Sequence, residues 1–436
     1  MEIEIERLGD NGEGIGRIPS GDDAGKVCFV DLALPQENVI VDVFENTNKY
    51  CKAKLIKLLN ESSDRTKPIC KYFSQCGGCT LQHLKYEKQC EFKKQKILSS
   101  FQRIAKISPN ISEVVTCDNF GYRNKMVFPV SDNFGQAVVG MFESNSHRVV
   151  GIQKCQIASP EINNVLKCIC EYLYANNDCV YKNNDLLLKY IVIRYVENAT
   201  LVTFVLKDKF DCGEIYGFLK SKFDKIGLSI IISDNSKDIL GGKYLHMYGL
   251  EKIPIEEFGI KYEIDNRSFY QVNTLVKHKL YDVILSEVNL NSIVIDGYSG
   301  AGLLTAILSQ KCKQAIGVEI NKSASRSAED LKVKNGLNNV EFINNDFKKV
   351  IEKYLQNNKD LVIILDPPRA GCDKLIMDKI SNCGAEKIIY VSCNPDSLAR
   401  DVSRISDSFK ITKVIPFEMF PQTKHVETLV VLKRKD

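Results

Sequence analysis

The C-terminal part of this chain predicts a doubly wound (Rossmann-like) parallel α/β sheet, and three observations predict it. From about residue 266, strand-like runs at 292–296, 315–319, 340–343, 361–366 and 387–392 alternate with helix-like segments, the pattern of strands joined by crossover helices. A glycine-rich turn, Asp296-Gly297-Tyr298-Ser299-Gly300-Ala301-Gly302, follows the first run and opens a helix. Asp296, Glu319, Asp366 and Cys393 all fall at the carboxyl ends of their runs, the edge where such sheets bind ligands.

Two units precede that sheet. Residues 1–60 read as a small OB-like β-barrel: Gly9, Gly12, Gly14 and Gly16 punctuate the start, and short apolar runs at 27–30 and 39–43 flank Leu34-Pro35. Such barrels serve as RNA-binding scaffolds and as plain structural modules, and both readings stand. Residues 61–265 read as a central α+β domain. It begins with a cysteine-bearing segment and a lysine-rich helical stretch at about 85–104. Strand-like runs at 190–195, 201–206 and 228–233 then interleave with helical ones at 161–174 and 214–223. The third unit is 266–436.

Composition excludes little. A formal charge of +4, from 59 Lys+Arg against 55 Asp+Glu, neither requires nor forbids an anionic partner. Lys85, Lys88, Lys93, Lys94, Lys96, Arg103 and Lys106 outnumber Glu87 and Glu91 in the helical stretch, which reads as a solvated face ahead of an RNA contact. No apolar run approaches the roughly 18 residues that span a bilayer, and the acidic Met1-Glu2-Ile3-Glu4 start lacks a secretory core. The expectation is a cytoplasmic protein with no membrane partner. Sixteen cysteines in that setting point to reduced thiols.

Several motifs carry chemistry. The glycine order in the 297–302 turn is G-x-x-G-x-G, not the dinucleotide fingerprint. It suits a ligand whose charged amino-acid part lies over the turn, as in S-adenosylmethionine. Glu319 is placed to accept two ribose hydroxyls and Asp346 to meet an adenine edge. Asp366-Pro367-Pro368-Arg369 ends the fourth run, where two prolines stop the strand and fix Asp366 at the rim. Ser392-Cys393-Asn394-Pro395 ends the fifth, and His425-Val426-Glu427 opens a later one. A thiol and a carboxylate are what methylation of an unactivated ring carbon requires: Cys393 is expected to add to carbon 6 of a uracil, and Glu427 to remove the carbon-5 proton. The attacking thiol is expected to lie in an electropositive pocket that lowers its pKa. Finally, Cys70-x5-Cys76-x2-Cys79, with Cys155 as the fourth thiolate, is a ligand-type set that suits zinc or iron–sulfur equally.

On these motifs the chain resembles the bacterial 23S ribosomal RNA uracil-5-methyltransferases over nearly its full length. The carriers are Gly9 to Gly16 with Phe29-Val30 and Leu34-Pro35, which match a TRAM-like barrel, then Cys70, Cys76, Gly77, Gly78, Cys79, Leu81 and Gln82. Tyr122-Arg123-Asn124-Lys125, Phe269-Tyr270-Gln271-Val272-Asn273, the Asp366 and Cys393 motifs, and Phe420-Pro421-Gln422-Thr423-Lys424-His425-Val426-Glu427 follow in order. The resemblance implies a class I methyltransferase sheet and a 4Fe–4S cluster on Cys70, Cys76, Cys79 and Cys155. It implies S-adenosylmethionine contacts by Gln271, Tyr298, Glu319 and Asp366, with Asp346 near the adenine. The target base would be met by Phe269, Gln271 and Asp366, with Cys393 as nucleophile and Glu427 as base. The product would be 5-methyluridine in 23S ribosomal RNA, at the 1939-type or 747-type uridine, made by a monomer. A transfer-RNA uracil-5-methyltransferase and a non-catalytic iron–sulfur RNA-binding protein are the competing readings; the barrel and cysteines of residues 1–80 favour ribosomal RNA. One departure is Gln36, where the family has glycine after Leu34-Pro35, which is expected to alter that barrel turn.

Overall fold

Alternating burial along short strands closes the N-terminal unit. β1 (Glu2–Leu8), β2 (Gly14–Arg17), β3 (Val27–Asp31), β4 (Asn38–Asn46) and β5 (Tyr50–Leu58) form a closed barrel of order β1-β2-β3-β5-β4. Inward residues such as Ile3, Ile5, Cys28, Val30, Val39, Val41, Cys51 and Ala53 fill it, as the period-2 pattern requires. Gln36 adopts φ +70°, in the left-handed region that favours glycine, and its N–H donates to the Ile5 carbonyl at 2.9 Å. The structure, a computed structural model, describes residues 1–233, 238–354 and 360–435.

The lysine-rich stretch is α1 (Tyr86–Ser100), extended by one π-helical turn, Phe101–Ala105. It is not a solvated face throughout. Gln89, Lys93, Ile97, Ser100 and Phe101 are buried, and Ile97 and Phe101 join the core of the C-terminal sheet. Lys93, with no exposure, pairs with the equally buried Glu418. A lysine count along a helix does not reveal which lysines turn inward; the facing carboxylate, hundreds of residues away, decides it.

The central sheet is built from β6 (Lys125–Asn133), β7 (Gln136–Phe142), β8 (Val149–Gly151), β11 (Leu188–Val196), β12 (Ala199–Leu206), β13 (Ile226–Ile232) and β14 (Lys243–Gly249). Its order is β14-β13-β12-β11-β6-β7-β8, covered by α2 (Pro160–Ala175) and α3 (Gly213–Lys220). A two-residue pair, β9 (Tyr181–Lys182) and β10 (Asp185–Leu186), stands apart. The hairpin β15 (Ile253–Glu257) and β16 (Ile260–Ile264) packs into the core of the C-terminal sheet.

That last sheet positions the site. β17 (Ile293–Asp296), β18 (Gln314–Glu319), β19 (Val340–Asn344), β20 (Leu361–Leu365), β21 (Lys387–Ser392), β22 (Phe409–Phe417) and β23 (Glu427–Arg434) order as β19-β18-β17-β20-β21-β23-β22. Five strands are parallel and β23 runs antiparallel to both its neighbours. The helices are α4 (Thr274–Ser286), α5 (Leu303–Ser309), α6 (Lys322–Lys334), α7 (Phe347–Tyr354), α8 (Lys374–Ser381) and α9 (Pro395–Ile405). The order reverses between β17 and β20, the switch point at which such sheets open a crevice. Because β23 is antiparallel, its amino end lies at the carboxyl ends of the others.

Candidate active site at the strand ends

Register brings the two candidate side chains, Cys393 and Glu427, together. Ser392 pairs with Thr428 across β21 and β23, so Cys393 and Glu427, one residue beyond each, stand at the same edge. Asn394 then caps α9, its Oδ1 accepting from the Asp396 N–H at 3.2 Å, with Pro395 at the first helical position. Asn394 Nδ2 and Ser397 Oγ both donate to the Arg369 carbonyl, at 3.1 and 3.2 Å. These bonds tie the Asp366 loop to the Cys393 loop. The Asn-Pro cap is visible in the sequence; its second use, as a strut to Arg369, is not.

The pocket's electrostatics differ from expectation. Glu427, 5% exposed, is held well above the ordinary carboxylate range by burial and then by the Asp366 carboxylate. Asp366, open to solvent at the mouth, is itself raised by the crowding of protein around it and by Asp296. The half-buried Cys393 thiol is pushed up, first by burial, then by Glu427 and Asp366. The expected electropositive pocket is absent at Cys393: two carboxylates face the sulfur, and Arg369 is the cation that opposes them. The Arg369 side chain is exposed.

The glycine turn between β17 and α5 makes a cradle. Gly300 and Gly302 have φ of +54° and +81°, and a Cβ on Gly302 would strike the Phe342 ring at 2.5 Å, whereas the space beside Gly300 is open. Glu319 ends β18 and accepts from the Gly300 N–H at 3.0 Å and the Asn321 N–H at 2.6 Å. Asp296, 2% exposed, accepts from Thr305 Oγ1 at 2.7 Å, and burial raises it to about 6. Tyr298 packs its ring against Phe347 and donates to Cys372 Sγ at 3.6 Å. Asp346 lies just past β19, one oxygen accepting from the Lys348 N–H at 3.0 Å. A glycine cradle, an open space and a ring of carboxylates fit a ligand bearing a cationic amino acid and a ribose.

Phe269 and Gln271 arrive on the segment between β16 and α4. Phe269 is 82% exposed, while its neighbour Tyr270 is buried and donates to Glu257 Oε1 at 2.8 Å. Glu257 also receives Lys277 Nζ at 2.6 Å, Tyr262 at 2.5 Å and His278 at 2.7 Å. The central sheet grips the segment from the other side. Asn124 Nδ2 donates to the Gln271 carbonyl at 2.9 Å and Thr274 Oγ1 at 3.0 Å, Lys125 to the Asn266 carbonyl at 2.6 Å, and Arg194 to the Ser268 carbonyl at 2.7 Å. Arg194 is wholly buried. Sequence reasoning assigned none of these residues a role, although Asn124 and Lys125 belonged to a quoted motif. Their use depends on two segments meeting in space.

The four cysteines gather less tightly than expected. Cys70, Cys76 and Cys79 lie on the irregular segment before α1, Cys76 in an isolated antiparallel bridge to Glu143, and Cys155 lies before α2. Burial raises Cys76, Cys79 and Cys155, and their mutual charge adds to it, so the sulfurs share one neighbourhood. The Gly78 N–H points at Cys76 Sγ at 3.4 Å, and backbone N–H groups of Ile157 and Ala158 face Cys155. Four soft donors with N–H support suit a metal centre chemically. Among the described residues, however, no three or more His, Cys, Asp or Glu side chains are grouped closely enough to hold a metal ion. The expected 4Fe–4S cluster is therefore not shown.

Comparisons with known proteins bear on the fold and the family. A family model described as tRNA (Uracil-5-)-methyltransferase matches residues 85–435, and a TRAM domain model matches residues 1–56. A protein of Caldanaerobacter subterraneus named an uncharacterized RNA methyltransferase is 35% identical over 449 residues, covering 99% of this chain and 98% of its own. One of the same description from Clostridium acetobutylicum is 34% identical, covering 100% and 97%. Among solved structures, the Pyrococcus abyssi tRNA (uracil-54, C5)-methyltransferase in complex with S-adenosyl-L-homocysteine superposes with a TM-score of 0.78. It is 25% identical and covers 99% of this chain and 100% of that one. The chain belongs to the RNA (uracil-5-)-methyltransferase family, with an N-terminal TRAM barrel ahead of an S-adenosylmethionine-dependent sheet.

Proposed function

We propose that the protein methylates carbon 5 of a uridine in 23S ribosomal RNA, the 1939-type or 747-type position, by covalent catalysis. The observation that carries the chemistry is the β21–β23 register, which sets Cys393 and Glu427 at one strand edge beside Asp366. The target uridine is flipped from structured RNA to the strand ends, with the exposed Phe269 ring stacking on it and Gln271 and Asp366 orienting it. The Cys393 thiolate, its proton already lost to solvent, bonds through Sγ to carbon 6, and the displaced π electrons make carbon 5 nucleophilic. S-adenosylmethionine, when held by the 297–302 turn with Gln271, Tyr298, Glu319, Asp346 and Asp366, supplies the methyl group. Glu427 takes the carbon-5 proton, the double bond re-forms, and the Cys393 thiolate leaves. Burial, with the Asp366 carboxylate beside it, raises the proton affinity of Glu427, which favours its taking a proton. Cys70, Cys76, Cys79 and Cys155 would hold an iron–sulfur cluster as a staple between the segment before α1 and α2.

A second reading, a transfer-RNA uridine, is favoured by the full-length likeness to the Pyrococcus enzyme. That likeness covers the barrel as well, so the barrel does not discriminate between the two RNAs. The test is methyl transfer from labelled S-adenosylmethionine to protein-free 23S ribosomal RNA and to unmodified transfer RNA, with the product mapped at base resolution. Labelling of transfer RNA alone removes the ribosomal reading.

A further inference from the structure

Glu427 enters β23 from residues 418–426, which no helix or strand supports. That loop is nevertheless packed: Met419, Gln422, Thr423 and Val426 are all at most 5% exposed. Gln422 holds φ +68°, uncommon for a residue with a side chain. Partners from distant segments fix it there. Its carbonyl accepts from the Thr80 and Leu81 N–H groups, both at 3.0 Å. Gln89 on α1 forms a reciprocal pair with it: Nε2 donates to Gln422 Oε1 at 3.0 Å and Oε1 accepts from the Gln422 N–H at 3.2 Å. Gln89 Nε2 also donates to the Leu81 and Leu84 carbonyls, so one buried amide joins the cysteine segment to the loop. Thr80 Oγ1 accepts from the Lys424 N–H at 2.8 Å. Lys93 donates to the Phe420 carbonyl at 3.2 Å, Lys96 to the Lys424 carbonyl at 3.2 Å, and Tyr122 to the Pro421 carbonyl at 3.1 Å.

We propose that Gln89 and Thr80 are positioning residues for proton removal: they set where the chain enters β23, and so where the Glu427 carboxylate stands over the Cys393-bound base. The proposal rests on the reading of Glu427 as the base. Neither residue reaches the pocket; each acts through the loop. Cys79 is the residue before Thr80, so the cysteine segment bears on the second half of the reaction, not on methyl transfer. A misplacement of about 1 Å at such a group costs on the order of 100-fold in rate.

The experiment uses full-length Gln89→Leu, the structured RNA substrate and S-adenosylmethionine. Three readouts are taken: methylated product, covalent protein–RNA adduct as a slow gel band, and S-adenosylmethionine affinity. Expected are product release slowed about 10- to 100-fold, unchanged cofactor affinity, and accumulation of the adduct, because addition and methylation proceed while elimination stalls. Slow turnover without adduct, as general structural damage gives, overturns the proposal, and so does normal turnover. Thr80→Val, which removes one hydrogen bond and keeps the shape, serves if Gln89→Leu does not fold; adduct is again expected, and its absence overturns the proposal. Wild-type protein with 5-fluorouridine RNA runs alongside. No linkage in that control sinks the Cys393–Glu427 chemistry itself, independently of the loop's anchoring.

Discussion

The strand-end site and the cysteine segment were both read from spaced motifs, yet the structure treats them differently. Cys393, Glu427, Asp366 and Glu319 sit at ends of strands, where the register of one sheet dictates their separation. Cys70, Cys76, Cys79 and Cys155 sit on irregular segments outside any named strand, with one isolated bridge from Cys76 to Glu143, and they share a neighbourhood without closing into a ligating group. Backbone pairing places a side chain to within a fraction of a residue repeat. A loop leaves its placement to side-chain contacts, and for a thiol those are weak unless a cation supplies them.

The sharpest way to break the comparison is at the sulfur. Cys393→Ala is expected to abolish methyl transfer while S-adenosylmethionine affinity holds, measured by labelled-methyl incorporation and by calorimetry; appreciable turnover removes the nucleophile. Glu427→Gln should instead leave addition and methylation intact and trap a covalent RNA adduct, seen as a slow gel band. For the cysteine segment, protein purified without air should be brown, with visible absorbance that Cys79→Ser removes. A colourless wild type containing zinc would make the segment a zinc staple. Behind the strand ends, Glu257→Gln is expected to cost about 3–5 kcal/mol, since it leaves Lys277 buried without its partner, measured by urea denaturation. Glu257 is held down to about 2 by His278 and Lys277 despite its burial. Its contribution is therefore full at neutral pH and lost as pH falls from the unfolded carboxylate range toward that value. The smallest effect belongs to Arg369→Gln. Arg369 lowers the Cys393 thiol, so its loss should move the rising limb of the pH–rate profile to higher pH, and a limb that stays put would mean the cation faces elsewhere.

Much of the fold was legible because its physics is local. The five parallel runs at 292–392 were readable from β–α alternation and match β17–β21 within one residue at each end. The barrel followed from short alternating strands and glycine turns. The conformation of Gln36 was not legible, because a residue type does not fix a backbone angle. Glutamine can hold φ +70° where the Ile5 carbonyl and the turn fix it. The sign of the Cys393 shift was misjudged because a motif names the thiol and not the charges opposite it. Asp366 and Glu427 come from two other strands.

By itself, then, the amino-acid order determined the class of sheet and which residues stand at the carboxyl ends of its strands, since strand ends and tight turns are set by neighbours along the chain. Tertiary structure alone decided which lysines of α1 are buried, how Asn124 and Arg194 hold the Phe269 segment, and how Gln89 reaches Gln422. These contacts join positions tens to hundreds of residues apart, and their energy exists only once separate elements have excluded water between them.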